Sequence, residues 1–100
     1  MEIKVTQEGA QTSFAIEGHL DTITAPDLEK FVEELYEKGI NDLVVDMSDC
    51  TFVSSAGLRV IVAMQKHAAE GGSVVFRNVH PDVMEVFQMT RLDRVLTFEE

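Results

Sequence analysis

The sequence predicts one α/β domain of order β-β-α-β-α-β-α-(β), with helices packed against a mixed sheet. Three observations carry that reading. Near the start, apolar Ile3, Val5, Phe14 and Ile16 alternate with polar or small neighbours, the period of paired strands. Further on, Leu28, Phe31, Val32, Leu35 and Tyr36 recur at the spacing of one helical stripe. Finally, Leu43-Val44-Val45 and Ser73-Val74-Val75-Phe76 are short apolar runs that each follow a helical stretch. Helical crossovers imply parallel pairing of these later strands, joined to an antiparallel edge pair.

Taken in order, the first two strands flank Glu8-Gly9-Ala10-Gln11, a plausible hairpin turn, and the second is expected to end in Gly18-His19-Leu20-Asp21. Thr24 suits a helix N-cap, with Pro26 in the first turn and Asp27 and Glu29 complementing the dipole. Lys30, Glu33, Glu34, Glu37 and Lys38 form the solvated side of that helix, and Gly39-Ile40 reads as a left-handed cap with its apolar contact. Leu43-Val44-Val45 lacks polar alternation, so a central strand covered on both faces is expected.

The second helix, Leu58 to Glu70, ends at Gly71-Gly72 and turns Leu58, Ile61, Val62, Gln65, Ala68 and Ala69 to one side. Val60 and Met64 point nearly the opposite way, so this helix is either sandwiched or offers a patch to a partner. His80-Pro81-Asp82 starts a third helix, with Val83, Met84, Val86, Phe87 and Thr90 inward, and Arg94-Val95-Leu96-Thr97-Phe98 reads as a last short strand or a frayed tail.

One hundred residues suffice for a single core but not for two. No apolar run approaches the ~18 residues of a membrane span. Strand-like alternation begins at once after Met1, so no secretory signal is expected, and the lone Cys50 suits a reducing cytoplasm. Eighteen acidic against eight basic residues give a net charge of −10. That excludes the basic footprint of a nucleic-acid binder and attraction to an anionic membrane. It would steer a partner with a positive face, and it also serves solubility. No metal-ligand cluster and no phosphate-cradling glycine loop occurs, so no cofactor is expected.

The chemistry concentrates between Cys50 and Arg59, C-T-F-V-S-S-A-G-L-R, where an extended run hands over to a helix. A serine there is either a capping hydroxyl or one displayed for chemistry. A nucleophilic serine would need a base, and of His19, His67 and His80 only His19 could approach; the G-x-S-x-G elbow is absent. Asp46, closing a central strand, resembles a phosphoaccepting aspartate, but Gln7 and Glu8 supply no acidic pair for magnesium. A third possibility is that Ser55 is itself the substrate of a kinase. A phosphate adds about −1.5 to −2 charges, which a helix N-terminus accommodates while a docked partner would have to desolvate them.

Gly18 to Leu28 (G-H-L-D-T-I-T-A-P-D-L), Val44 to Arg59 (V-V-D-M-S-D-C-T-F-V-S-S-A-G-L-R), Ala68 to Gly72 (A-A-E-G-G) and the F-Q-M-T-R-L-D stretch resemble the anti-sigma-factor antagonists, small stand-alone STAS-domain proteins. The resemblance covers essentially the whole chain. It implies four or five mixed strands with packed helices, and a non-enzymatic partner switch; a monomer is expected when the protein is free. In that scheme the unmodified protein binds an anti-sigma factor that is a GHKL-type serine kinase, phosphorylation releases it, and a PP2C-like phosphatase resets it.

Aligning Gly57-Leu58 with the family pattern puts the phosphoserine at Ser55 and the family's other aspartate at Asp21, with Thr24, Ser54 and Gly57 supporting the site. Ala56, Leu58, Arg59, Val60 and Met64 are the expected docking residues. Ser54 stands for an aspartate, Ala56 for a second hydroxyl and Arg59 for a glycine, which leaves Ser54 a rival acceptor or a cap. Some family members instead regulate transporters, stressosomes or secretion, and an accessory module binding through Val60 and Met64 is the alternative.

Overall fold

The structure, a computed structural model, describes residues 1–99. Its elements run β1 (Glu2–Gln7), β2 (Gln11–Leu20), α1 (Ala25–Glu37), β3 (Asp42–Asp46), β4 (Cys50–Val53), α2 (Ser55–Ala69), β5 (Ser73–Arg77), α3 (Pro81–Met89), a 3₁₀ turn (Leu92–Arg94) and β6 (Thr97–Glu99). β1 and β2 form the expected antiparallel hairpin, and β3, β5 and β6 extend the sheet by parallel pairing in the order β1-β2-β3-β5-β6.

One strand more is present than the sequence pattern indicates. β4 pairs in parallel with the far end of β2, through Gly18, His19 and Leu20, beyond the point where β3 stops. Its four residues bury only the outer two, Cys50 and Val53, and expose Thr51 and Phe52. That arrangement has no period of two, so alternation could not reveal it. β2 accordingly runs through Leu20, with a register shift between Gly18 and His19.

Phe14, Ile16, Leu43, Val45, Val74 and Phe76 of the strands join Leu28, Val32, Ile61, Met64, Val83 and Phe87 of the helices in one core. Ring contacts tie the layers together, Phe14 to Phe31 of α1 at 4.8 Å and Phe76 to Phe87 of α3 at 6.4 Å. The alternate strand residues Ser13, Ala15, Val44 and Val75 fall outside that core. The helices therefore occupy a single face of the sheet. β3 buries Leu43, Val44 and Val45 alike, so this central strand is shielded on both faces as expected, although Val44 lies outside the helix-packed core.

α1 matches its pattern, burying Leu28, Val32 and Leu35 with Phe31 and Tyr36 half-buried. Gly39 adopts φ +79°, and Gly39 and Ile40 donate to the Tyr36 and Leu35 carbonyls, the expected left-handed cap. α3 is capped by His80, whose Nδ1 accepts from the Asp82 N–H. Val83 and Phe87 are buried there, but Thr90 is exposed and spends its hydroxyl on the Val86 and Phe87 carbonyls. The last strand forms from Thr97 instead of Arg94, because the 3₁₀ turn takes up Leu92–Arg94.

α2 departs most from expectation. Val60 and Met64 are 6% and 1% exposed, so neither can be a docking residue. They face α1, beside Val32 and Tyr36, while Ile61 faces the core and Leu58, Val62, Gln65 and Ala68 are only half-buried. The two apolar sides of α2 thus mean sandwiching between sheet and helix. His67 locks the same seam, stacking on Tyr36 at 3.5 Å and pairing its Nε2 with Asn41 Oδ1 at 2.8 Å.

Candidate functional site

β2 and β4 end side by side, Leu20 in register with Val53, and the two segments that follow carry the predicted site. After β2 comes Asp21. Its Oδ1 accepts from the backbone N–H groups of Ile23 (2.9 Å) and Thr24 (3.0 Å) and lies 3.1 Å from the Thr24 hydroxyl. Thr24 Oγ1 accepts from the Asp21 N–H at 2.8 Å and reaches the His19 carbonyl at 2.7 Å. The Thr24 side chain therefore braces the loop, and it makes none of the capping hydrogen bonds to α1 that its position suggested. Among the described residues, the hydrogen-bond partners of the Asp21 carboxylate all belong to this loop.

The Thr24 N–H foremost, joined by the Ile23 N–H, the Thr24 hydroxyl and nearby His19, holds the Asp21 carboxyl below its ordinary value of 3.8 against the opposing effect of burial. A depressed folded-state value means that the loop's contribution to stability is complete above 3.8 and disappears as the pH falls through the lowered value. An NMR titration should place the Asp21 carboxyl below free aspartate, and Asp21→Ala should flatten the acid limb of the stability–pH curve in that window alone.

After β4 comes the start of α2, and here the two serines divide their work. Ser54 donates its N–H to the Leu20 carbonyl at 2.9 Å and accepts the Gly57 N–H on Oγ at 3.3 Å, with extended backbone (φ −88°, ψ 176°). It is the N-cap. Ser55 is the first helical residue and is exposed, and among the described residues its side chain makes no hydrogen bond. Gly57 is buried against Leu20: a Cβ there would lie 2.8 Å from both the Leu20 Cγ and the Leu20 carbonyl oxygen. The oxygen is the one that binds the Ser54 N–H, so it cannot give way freely. Gly57→Ala is expected to cost about 1–3 kcal/mol in urea unfolding, as over-packing does, and to disturb the helix start.

Ala56 and Leu58 are half-buried and Arg59 is exposed, so these three expected docking residues remain at the surface near Ser55. Sequence reasoning missed two apolar residues beside them. Phe52, 49% exposed on β4, meets the His19 ring in a tilted contact at 5.6 Å, and Ile23, 85% exposed, sits in the Asp21 loop. Burial is invisible to a sequence pattern in a four-residue strand and in a turn. The His19 ring thus packs on Phe52, and no hydrogen bond joins it to a serine among the described residues. Asp46 is engaged by Ser48 and Asn78, and no cluster of metal-ligating side chains is found among the described residues.

The family model of the STAS domain matches residues 2–100. The chain belongs to the STAS domain family. Its relatives include BtrV of Bordetella bronchiseptica, a candidate anti-sigma factor antagonist, at 30% identity over 75% of this chain and 66% of BtrV. Another is the anti-sigma-F factor antagonist RsfB of Mycobacterium tuberculosis, at 28% identity over 78% of this chain and 70% of RsfB. The chain thus spans about two thirds of the length of these relatives.

Among solved structures, a candidate anti-sigma factor antagonist of Thermotoga maritima superposes with a TM-score of 0.89 at 24% identity, over 98% of this chain and 86% of that one. The Bacillus cell fate determinant SpoIIAA in its phosphorylated form gives a TM-score of 0.73 at 14% identity, over 99% and 92%. The STAS fold inferred from the sequence motifs is therefore the fold observed, and the named relatives are anti-sigma factor antagonists. No helix among the described residues is long and apolar enough to cross a membrane.

Proposed function

We propose that this STAS domain is a non-enzymatic anti-anti-sigma factor whose binding state is set by phosphorylation of Ser55. The observation that carries the reading is the division of labour at the start of α2. Ser54 is committed to the Gly57 N–H and caps the helix, while Ser55 is exposed with a free hydroxyl. A phosphate there meets the positive end of a 15-residue helix, an interaction of about 0.3–1 kcal/mol in its favour. The solved structures of SpoIIAA in phosphorylated and unphosphorylated form, both close to this fold, support a scaffold that carries phosphate without refolding.

In this reading the unmodified protein docks on an anti-sigma factor that is also a serine kinase of GHKL type, through Ala56, Leu58, Arg59, Phe52 and Ile23. The kinase transfers the γ-phosphoryl of ATP to Ser55 Oγ, releasing ADP and the hydroxyl proton. The phosphoprotein then dissociates, and a PP2C-like phosphatase returns it to the binding form by hydrolysis. Arg59, one turn beyond Ser55 on the same helix face, can pair with the phosphate. The protein would act in the cytoplasm, where ATP and the kinase reside.

The accessory-module alternative loses its motivating surface, since Val60 and Met64 are buried. The test is incubation with a cognate anti-sigma kinase and ATP, followed by mass-spectrometric mapping. Phosphate on Ser55, absent in Ser55→Ala and unaffected by Ser54→Ala except through stability, is expected. Phosphate on Ser54, or on neither serine, would overturn the assignment.

A further inference from the structure

Between α2 and the turn after α3 lies a groove of about 390 Å³, lined by Leu58, Arg59, Val62, Ala63, Lys66, Thr90 and Leu92. Its walls are mostly apolar, with two cations on the α2 side. The charge of this region is unlike that of the molecule. The chain carries 18 acidic residues and a net charge of −10, yet α2, from Ser55 to Ala69, contains no acidic residue at all.

Arg59 and Lys66 line the groove, and the exposed Arg91 and Arg94 belong to the turn that supplies Thr90 and Leu92. Four of the chain's eight lysines and arginines thus lie on the two segments that border the groove, two of them lining it, with Asp93 the sole carboxylate in the turn. Among the described residues, none of the four makes an ion pair; Lys30 of α1 and Lys38 at its end make none either, and Lys4 and Arg77 each do. Arg91 holds a left-handed backbone (φ 62°) that sends the chain from α3 into the turn and so fixes the far wall.

We propose that this groove binds an acidic amphipathic helix of a partner protein. Unpaired cations beside an apolar floor complement a ligand with carboxylates flanking leucine-like side chains. A helix fits better than a strand, because the groove runs along α2 and offers no open sheet edge. Arg59 and Lys66 are seven residues apart, two turns or about 10.5 Å, so carboxylates at i and i+7 of the bound helix face both.

Ser55 precedes Arg59 by one turn on the same face. A phosphate there would occupy Arg59 and repel the incoming carboxylates. That regulation rests on the Ser55 reading; the groove itself does not. The overall negative charge favours a partner with a positive face at long range, and the groove supplies the opposite preference at contact.

The test uses the full ¹⁵N-labelled chain and two synthetic helical peptides sharing one leucine pattern, flanked by glutamates in one and lysines in the other. Titration with the glutamate peptide should shift amides of residues 58–66 and 90–94 and bind at least about tenfold tighter than the lysine peptide. The preference should shrink as salt rises and reverse in Arg59→Glu/Lys66→Glu, two exposed changes whose spectrum should stay dispersed. Ser55→Asp should weaken the glutamate peptide severalfold.

Equal binding of both peptides, shifts elsewhere, no shift at about 1 mM peptide, or shifts that follow protein concentration without peptide would each overturn the groove. Glutamate-peptide binding by a chain that no kinase phosphorylates at Ser55 would keep the groove and remove only its regulation. Phosphorylation at Ser55 with no peptide preference would do the reverse.

Discussion

Phosphorylated at Ser55, the protein is expected to lose about a thousandfold in affinity for the proposed anti-sigma kinase, the equivalent of roughly 4 kcal/mol. The cause is desolvation. A docked partner would have to strip water from a dianion at the centre of the contact, at a cost of several kcal/mol unless it brought its own cations. Ser55→Asp, with one charge on a shorter arm, should show only part of that loss, and Ser55→Ala should bind as the unmodified chain does. Calorimetric titration of the kinase with the three forms measures the series. Thermal unfolding of the same samples should move little, because the helix start tolerates the added charge. A phosphoprotein that binds as tightly as the unmodified chain would remove phosphorylation as the switch, and one that unfolds would locate the effect in stability.

Met64→Ala is expected to lower the unfolding free energy by about 2–5 kcal/mol, the range for removing a buried long apolar side chain. Met64 is 1% exposed between α2 and α1, so the truncation leaves a void that the two helices close only in part. Urea titration measures the loss. Binding to the kinase under native conditions should stay within a few-fold of the parent, since the residue has no surface to offer. The opposite pair of results, normal stability and lost binding, would return Met64 to the interface.

How legible these features were in the sequence followed from how many environments each segment meets. α1 packs on one side and faces water on the other, so its stripe from Leu28 to Tyr36 was readable in full. α2 is covered on two sides, by the sheet at Ile61 and by α1 at Val60 and Met64, and a sequence cannot distinguish a neighbouring helix from an absent partner. β4 buries its first and last residues only, which leaves no alternation to find. Among the proposed docking residues, Arg59 was evident from the motif, while Phe52 and Ile23 became visible only through their exposure.

The serines followed the same logic. Adjacent hydroxyls in a strand-to-helix junction are equivalent as letters. They part when the chain turns: the extended Ser54 points its oxygen back at the Gly57 N–H, and Ser55, already helical, projects outward. The family motif pointed to Ser55 and left Ser54 open, and the cap geometry gives Ser54 a structural occupation of its own.

Leu20 meets β4 and the start of α2 in several ways at once: it pairs with Val53, its carbonyl holds the Ser54 N–H, and its side chain lies under Gly57. The Asp21 loop and the helix start are thereby riveted to one fully buried residue. A partner arriving here would find a stiff plate already in its bound shape, so little ordering entropy would be lost on contact. Recognition should accordingly be fast, and its lifetime governed by the chemistry of a single exposed hydroxyl.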